Sequence, residues 1–561
     1  MNQTVFNISK IFSLKGISKM VLSPGSRNAP LTISFARNQD ITTYNIVDER
    51  SAGFIALGMA QKSNAPVAIC CTSGSALLNY APAVSEAYYQ NIPLIVLSAD
   101  RPPEWIDQRD GQTINQDKAL HNFVKGSFNL PVDLEHADAQ WEFERKVNDA
   151  INLATTAPYG PVHINVPFRE PFYPKEDQEL EFGEVRIINH YESNKSTGLE
   201  ELVDRWKDFP KKLIIQGQRS SHESALSVPD DIPVIADVIS NSSQQDAVRT
   251  HDLFLGALTQ DQLESLQPDL LITTGKSIIS KNLKLYLRNF KPRAHWHFED
   301  APIAADTFQS LSDHFRFPLN DLLDVALSKE PNEFKKQLGK NFKQSWFTID
   351  KLSREAIDQS IEEIGFSEAS AYFKVLNSMP DTLDLHFANS MAVRYSNFFH
   401  YTTSNQSVYA NRGTSGIDGT NGTAVGNAIL ADRPVVLLTG DLSFFYDRNA
   451  FLHNYDLSHL KIIVFNNQGG GIFRMIKGPA ALPELEQHFE TRHNHSAQFA
   501  AAEYRMDYIK VKDVNTLESG LASLFADNKS PKIMEVFTDP AENKEAFAML
   551  KQSISDRLNT H

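Results

Sequence analysis

In the stretch "GDLSFFYDRNAFLHNYDLSHLKIIVFNNQGGGIF", Gly440 to Phe473, the carboxylate of Asp441 is followed 467 − 441 = 26 positions later by the amide of Asn467, and then by Gly469, Gly470 and Gly471. Hard divalent cations such as Mg2+ take oxygen ligands in an octahedron and commonly bridge to the phosphates of a substrate. A carboxylate, an amide oxygen, a backbone carbonyl and two phosphate oxygens would supply five of its six positions, leaving one for water. The glycines let the backbone come close to phosphate and adopt positive φ. A helix N-cap at Asp441 and an ordinary turn at "NNQGGG" would use the same residues, so other parts of the chain must decide.

Both residues end apolar runs, "PVVLLTG" before Asp441 and "KIIVF" before Asn467, which places them on one edge of a sheet, one strand-helix-strand unit apart. Short β-branched runs alternate with helical patterns along the whole chain, which implies βαβ units and parallel sheets. The first series is "KMVLSPG", "TTYNIV", "APVAICCTSG" and "PLIVLSADRP". The second is "KKLIIQGQ", "IPVIADVI", "PDLLITTGK" and "RAHWHFED", and it runs into a charged, Phe-dotted segment near 313–350. The third is "LDLHFANS", "SVYANRG", "RPVVLLTGD", "LKIIVFNN" and "KIMEVFTD". The expected fold is therefore α/β, three consecutive doubly wound parallel-sheet domains over 1–178, 185–345 and 355–561, with a linker around 170–184. Ligands of such sheets sit beyond the carboxyl ends of the strands. The segments to inspect are "SPGSRN", "VDERSAG", "TSGSA", "SADRPPE", "ANSMAVR", "NRGTSGIDG", "TGDLS" and "NNQGGGIF".

Composition narrows the classes. With 561 residues, 41% hydrophobic and 22% charged, the chain is an ordinary globular protein too long for one core. A net charge of −15 argues against broad nucleic-acid binding, which needs clustered Lys and Arg. Cys70 and Cys71 are adjacent in an apolar run, where a disulfide is strained and metal spacing is missing; reduced core residues of a cytoplasmic protein are expected. No window approaches ~18 uninterrupted apolar residues and the N-terminus lacks a signal-peptide h-region, so neither a membrane span nor secretion is expected. His295 and His297 share one face of a strand without a third ligand nearby, and a half-exposed strand is expected there. No Gly-x-Gly-x-x-Gly follows the first strand, which weakens a dinucleotide-dependent reading.

The run from Gly440 to Phe473 resembles the diphosphate-binding motif of thiamine diphosphate enzymes, although Leu442 stands where that family often has Gly. The stretch Thr72 to Pro102 is similar to the pyrimidine-domain signature of the same superfamily. The resemblance implies pyrimidine, middle and diphosphate domains in that order. It implies Mg2+ or Mn2+ held by the side chains of Asp441 and Asn467 and the carbonyl of Gly469. Further cofactor contacts are implied at Thr72, Asn79, Ile417, Gly440, Leu442, Ser443, Gly470 and Ile472. Glu49, at the start of the helical stretch "ERSAGFIALGMA", resembles the glutamate that exchanges a proton with the cofactor's aminopyrimidine; on its own it would be an acidic residue in a helix's first turn. Glutamate in the first domain and metal motif in the third fit a cofactor held between two chains, hence a homodimer at the least and, from the family, a homotetramer.

Arg27, Arg101, Arg394 and Arg412 all lie at strand ends, and guanidinium groups bind carboxylates bidentately, which implies substrates with several carboxylates. "SPGSRNAPL", "SADRPPE", "NRGTSGIDG", "GDLSFFYD" and "NNQGGGIF" together resemble the thiamine enzyme family of menaquinone biosynthesis. That family decarboxylates 2-oxoglutarate and adds the succinyl carbanion equivalent to isochorismate in a 1,4 sense. By position in the matched motifs, Ser390 and Arg394 would take the 2-oxoglutarate-derived chain. Ser26, Arg27, Arg101, Gln112 and Arg412 would hold isochorismate or the adduct, and Ile472 and Phe473 would form an apolar wall. Glu49, Arg27, Ser390, Arg394 and Arg412 are the expected catalytic set. The rivals are another thiamine diphosphate carboligase or decarboxylase, whose small or apolar oxoacids would not need the arginines, and a non-catalytic nucleotide-binding or sensor protein that kept the fold. The segment "RHNHSAQF", 492–499, is expected to form a mobile loop over the site. The middle domain carries no cofactor motif.

Overall fold

The computed structural model describes residues 2–174, 181–190, 199–328, 333–399, 401, 405–476, 478–527 and 529–560. Three parallel-sheet α/β domains follow one another. The first sheet contains β1 Lys19–Leu22, β2 Thr42–Asn45, β3 Val67–Cys71, β4 Leu94–Asp100, β5 Ser127–Asn129 and β6 Val162–Pro167, in the order β2-β1-β3-β4-β6-β5. The second contains β7 Lys212–Gln216, β8 Val234–Ala236, β9 Leu270–Thr274, β10 Ala294–Phe298 and β11 Asp313–Phe315, ordered β11-β10-β9-β7-β8. The third contains β12 Asp384–Phe387, β13 Ser407–Ala410, β14 Val435–Gly440, β15 Leu460–Asn466, β16 Asp507–Val511 and β17 Lys532–Phe537, ordered β13-β12-β14-β15-β17-β16.

Central strands such as β3 "VAICC" and β4 "LIVLSAD" are buried along their whole length, as continuous apolar runs are when helices cover both faces of a parallel sheet. Cys70 and Cys71 sit in β3 as free, buried thiols, and burial pushes Cys70 up to about 12. The strands that the sequence pattern did not reveal include β5, β11 and β16, each at the edge of its sheet. "SFN", "DHF" and "DYIKV" are short or half-exposed, so their apolar content is too thin to read. The strand β10 corrects another expectation, because all five of its residues are buried rather than half-exposed. His295 Nε2 and His297 Nδ1 both lie 2.8 Å from Thr273 Oγ1, and His297 Nε2 lies 3.1 Å from Glu299 Oε2. Ser310 Oγ, 3.2 Å from His295 Nδ1, completes the set of side chains that meet the polar demands of these rings.

Of the linker expected around 170–184, residues 175–180 lie outside the described residues. The stretch 181–190 is extended and fastened to the first domain: Phe182 stacks on Phe6 at 4.5 Å, Gly183 N donates to Asn7 Oδ1, and Ile188 N donates to Asn148 Oδ1.

Two compact units emerge from the packing. The first comprises Met1–Ser193 with Asn411–Val435 and Ser443–Leu460; the second comprises Asn194–Ala410, Val436–Leu442 and Lys461–His561. In the first unit, helix Glu49–Ser63 crosses helix Thr420–Ile429 backbone against backbone. A Cβ on Gly58 would stand 2.0 Å from Thr423 O, and one on Gly426 2.0 Å from Ile55 O. In the second unit one continuous core joins the middle and third sheets through Ile215, Leu271, Trp346, Tyr372, Leu385 and Phe465. Helix Glu333–Glu363 runs without a break through positions 346–354, between the middle and third domains as bounded from the sequence. No helix among the described residues is long and apolar enough to cross a membrane.

Two buried histidines give the fold a pH dependence. His163 in β6 sits 2.7 Å through Nε2 from Ser98 Oγ, and burial pulls both His163 and His295 down to about 4. Each is therefore neutral in the folded protein, while the unfolded chain takes up a proton near pH 6.5. Their contribution is fully present above that pH and is lost as the pH falls toward about 4, which costs about 2 kcal/mol per histidine at pH 5. Urea unfolding at pH 7 and at pH 5 checks this, with His163→Gln expected to remove roughly half of the loss assigned to the pair. A His163→Gln protein as acid-sensitive as the original would contradict it.

Candidate active site

Strand β14 delivers Asp441 to the start of the short helix Asp441–Tyr446, and the neighbouring strand β15 delivers Asn467. Asp441 is only 2% exposed; its Oδ1 accepts from Leu442 N at 2.6 Å and its Oδ2 from Gly469 N at 3.0 Å. Asn467 is 7% exposed and donates through Nδ2 to Glu368 Oε2 at 3.3 Å, while its Oδ1 has no hydrogen-bond partner among the described residues. A buried carbonyl-type oxygen without a donor is costly unless something outside the chain meets it. Asp441, the Asn467 Oδ1 and the Gly469 carbonyl are the oxygens that could hold a hard cation here.

Close approach explains two of the three glycines. A Cβ on Gly469 would lie 2.7 Å from Glu490 O, and one on Gly471 would lie 2.6 Å from Asn467 Nδ2. Gly440 differs, because a Cβ there would meet nothing within 4 Å, which leaves room beside Asp441 for a group not belonging to the chain. Burial raises Glu368 to about 8, with the charge of Asp441 adding to the effect and the amide of Asn467 opposing it. The His-rich segment reaches the same place: His493 Nε2 stands 3.3 Å from Asp441 Oδ2, and its Nδ1 accepts from His495 N at 3.1 Å. From Ala497 onward this segment is helix, Ala497–Glu503, rather than loop.

Ser390 and Arg394 come together one helical turn apart. Ser390 precedes helix Met391–Phe398 with φ 72, a conformation that costs a non-glycine residue about 1–3 kcal/mol. Its carbonyl accepts from Arg394 Nη1 at 2.6 Å. Burial lowers the pKa of Arg394, opposed by the charge of Asp252. Ile472 and Phe473 are half-buried, and the Phe473 ring lies 5.6 Å from that of Phe489. A Cβ on Gly470 would sit 3.1 Å from the Phe473 ring.

In the first unit, Glu49 opens helix Glu49–Ser63 in a half-buried position, and Asp48 caps that helix by accepting from Ser51 N at 3.2 Å. Thr72 is buried, and its Oγ1 has no partner among the described residues. A Cβ on Gly25 would collide with Thr72 at 2.4 Å, so the "SPGSRN" and "TSGSA" loops touch. Arg27 donates to Phe168 O at 3.2 Å and lies 4.8 Å above the Phe172 ring. Burial lowers its pKa, and the nearby charge of Arg101 lowers it further. Arg101 donates through Nη1 to Ser73 Oγ and to Gln112 O, both at 2.7 Å, and pairs with Asp110. Gln112 takes φ 55 in that loop. Arg27, Arg101 and Gln112 are therefore neighbours. Ser443 Oγ donates to Ile417 O at 2.7 Å, and Ile417 is 38% exposed. Arg412 is half-buried in the same loop; Ser26 and Asn79 are exposed and make no hydrogen bond to the other candidates among the described residues.

Four supporting residues were not legible in the sequence. Asp110 neutralises Arg101. Gln116 accepts from Gly74 N at 2.8 Å and donates to Ala99 O and Asn165 Oδ1, tying two site loops to β4 and β6. Glu86, buried inside helix Ala81–Gln90, accepts from Gly413 N at 2.7 Å and from Thr414 N and Oγ1 at 2.6 Å, and so anchors the loop bearing Arg412 and Ile417. Glu368 is the fourth. Only Glu86 left a signal, an acid on the apolar side of a helical pattern.

The sequence matches the family described as thiamine pyrophosphate enzyme, N-terminal TPP binding domain, over residues 7–120, and its C-terminal TPP binding domain over 390–536. Among solved structures, a benzoylformate decarboxylase from Polynucleobacter necessarius is similar in fold, with TM-score 0.68, 17% identity, and coverage of 96% of this chain and 99% of that one. Two curated proteins named 2-succinyl-5-enolpyruvyl-6-hydroxy-3-cyclohexene-1-carboxylate synthase are similar along their whole length. The one from Flavobacterium johnsoniae is 40% identical over 96% of each chain. The one from Cytophaga hutchinsonii is 43% identical over 98% of this chain and 99% of its own. With such likeness sustained over nearly the whole of each chain, this chain belongs to the family of 2-succinyl-5-enolpyruvyl-6-hydroxy-3-cyclohexene-1-carboxylate synthases, among the thiamine pyrophosphate enzymes.

Proposed function

We propose that this protein decarboxylates 2-oxoglutarate and adds the succinyl carbanion equivalent to isochorismate in a 1,4 sense, giving 2-succinyl-5-enolpyruvyl-6-hydroxy-3-cyclohexene-1-carboxylate and CO2 in menaquinone biosynthesis. The observation that carries this reading is the 43% identity sustained over 98% of the chain. Thiamine diphosphate, when bound, supplies the thiazolium that accepts the electrons released by decarboxylation. Asp441 and Asn467 hold Mg2+ or Mn2+ through their side chains and Gly469 through its carbonyl; the orphaned Asn467 Oδ1 and the open space at Gly440 support this. Glu49 holds and returns a proton at N1′ of the aminopyrimidine. Ile417 gives the cofactor an apolar support, and Thr72 offers it a buried hydroxyl.

Ser390 and Arg394 grip the 2-oxoglutarate chain, with the strained Ser390 backbone preset by the fold. Ser26, Arg27, Arg101, Gln112 and Arg412 receive the carboxylates of isochorismate, and Ile472 and Phe473 keep water from the reacting carbon. The assembly is a homodimer at the least, in keeping with a cofactor that Glu49 and Asp441 meet from different domains. The enzyme works in the cytoplasm, in keeping with its free thiols.

The test is incubation with Mg2+, thiamine diphosphate, 2-oxoglutarate and isochorismate, followed by mass analysis of the adduct with each component omitted in turn. Arg394→Ala is expected to raise KM for 2-oxoglutarate by roughly ten- to hundredfold, the range for a charged hydrogen-bonded pair, while pyruvate's weak reaction changes little. Equal effects on both oxoacids would point to a different substrate.

A further inference from the structure

Glu368 opens helix Glu368–Asn377 directly after its cap Ser367. Acidic residues at this position ordinarily face water near the positive end of the helix, yet this one is 3% exposed. It is fixed from behind by Asn543 in helix Pro540–Asn559. Its backbone N–H donates to Asn543 Oδ1 at 2.7 Å, and its Oε2 accepts from Asn543 Nδ2 at 3.4 Å. The same Oε2 accepts from Asn467 Nδ2 at 3.3 Å.

The Asn467 side chain has almost the same shape in its two amide orientations, but the two ends differ in chemistry: one only accepts and the other only donates. An acceptor set against one end selects the orientation. With Nδ2 committed to Glu368, Oδ1 is left facing away from it, buried and without a donor. In the flipped orientation the Asn467 oxygen would meet Oε2, which already serves as the acceptor for Asn543 Nδ2, and an NH2 group would stand where Oδ1 now does.

We propose that Glu368 is a positioning residue of the metal centre: by accepting from Asn467 Nδ2 it holds the amide with Oδ1 turned to the cation. This rests on Asp441 and Asn467 being cation ligands. Groups behind metal ligands that fix their orientation typically contribute about 10- to 100-fold to metal affinity.

Titration of the metal-stripped, full-length protein with Mn2+ at saturating thiamine diphosphate, with free Mn2+ read by its EPR signal, tests the proposal without reference to turnover. Glu368→Met keeps the volume but cannot accept, and is expected to weaken Mn2+ binding by roughly tenfold or more. In an Asn467→Ala background the same change is expected to have an effect of no more than about twofold, because the amide through which Glu368 acts is gone. Glu368→Gln retains an acceptor oxygen and is expected to bind within about twofold of the original. Native-like affinity in Glu368→Met overturns the proposal, as does an equal loss in both backgrounds. If Glu368→Met does not fold, a large loss in Glu368→Gln overturns it. Asp441→Asn is the separate check on the ligand set: full Mn2+ affinity in that variant defeats the ligand assignment itself, whereas its loss beside a native-like Glu368→Met defeats only the role of Glu368.

Discussion

Glu49→Gln is expected to lower kcat by roughly 10²- to 10⁴-fold, the usual contribution of a positioned general acid-base, while thiamine diphosphate still binds. Glutamine matches glutamate in shape and can hydrogen-bond a ring nitrogen, but it cannot exchange a proton there at neutral pH. The fold should tolerate the change, because Asp48 and not Glu49 caps the helix. The competing explanation, a first-turn acid favouring the helix dipole, predicts a stability loss of about 0.3–1 kcal/mol and no change in rate. The two differ by orders of magnitude in the measured quantity. Deuterium exchange at C2 of the bound cofactor, followed by NMR, separates proton transfer from later steps, and calorimetry reports cofactor affinity. Exchange and turnover at the original rate would remove Glu49 from the chemistry.

Gly426→Ala and Gly58→Ala are each expected to destabilise the first unit by about 3–5 kcal/mol, at the severe end of single substitutions. Helix propensity alone predicts the opposite, a gain of about 1 kcal/mol for replacing glycine by alanine in a helix interior. Sterics should win. The added methyl would stand 2.0 Å from the Ile55 carbonyl oxygen in one case and 2.0 Å from that of Thr423 in the other, and neither backbone atom can rotate away. Relief requires the two helices to separate, which opens the packing of a densely filled interior. Gly440→Ala is the informative contrast, since its methyl meets nothing within 4 Å. It should leave the urea midpoint nearly unchanged and weaken cofactor binding instead. A stabilised Gly426→Ala protein would mean that the helices do not approach so closely.

What could be read from the linear chain followed from local rules. Apolar runs ending in Gly-Asp, Asn-Asn or Ser-Gly announce buried strands and the turns beyond them, because strand burial and turn chemistry are settled by residues only a few positions apart. The placing of Asp441, Asn467 and Gly469 at strand ends was legible for that reason, and adjacency of β14 and β15 in the sheet brings Asp441 and Gly469 into hydrogen-bonding distance. Arg27 with Arg101, and Ser390 with Arg394, were legible in the same way.

Tertiary structure alone decided the rest. Edge strands β5, β11 and β16 exist because a single neighbouring strand supplies their ladder hydrogen bonds, not because their own residues are apolar. Asn411–Val435 groups with the first sheet through two helices far apart in sequence, where Gly58 lies against Thr423 and Gly426 against Ile55. Glu86, Asp110, Gln116 and Glu368 act on partners up to hundreds of residues away in the chain, as Glu86 does on Thr414. A carboxylate's role is set by which donors surround it once water has been excluded, and that environment is made by folding rather than by spacing.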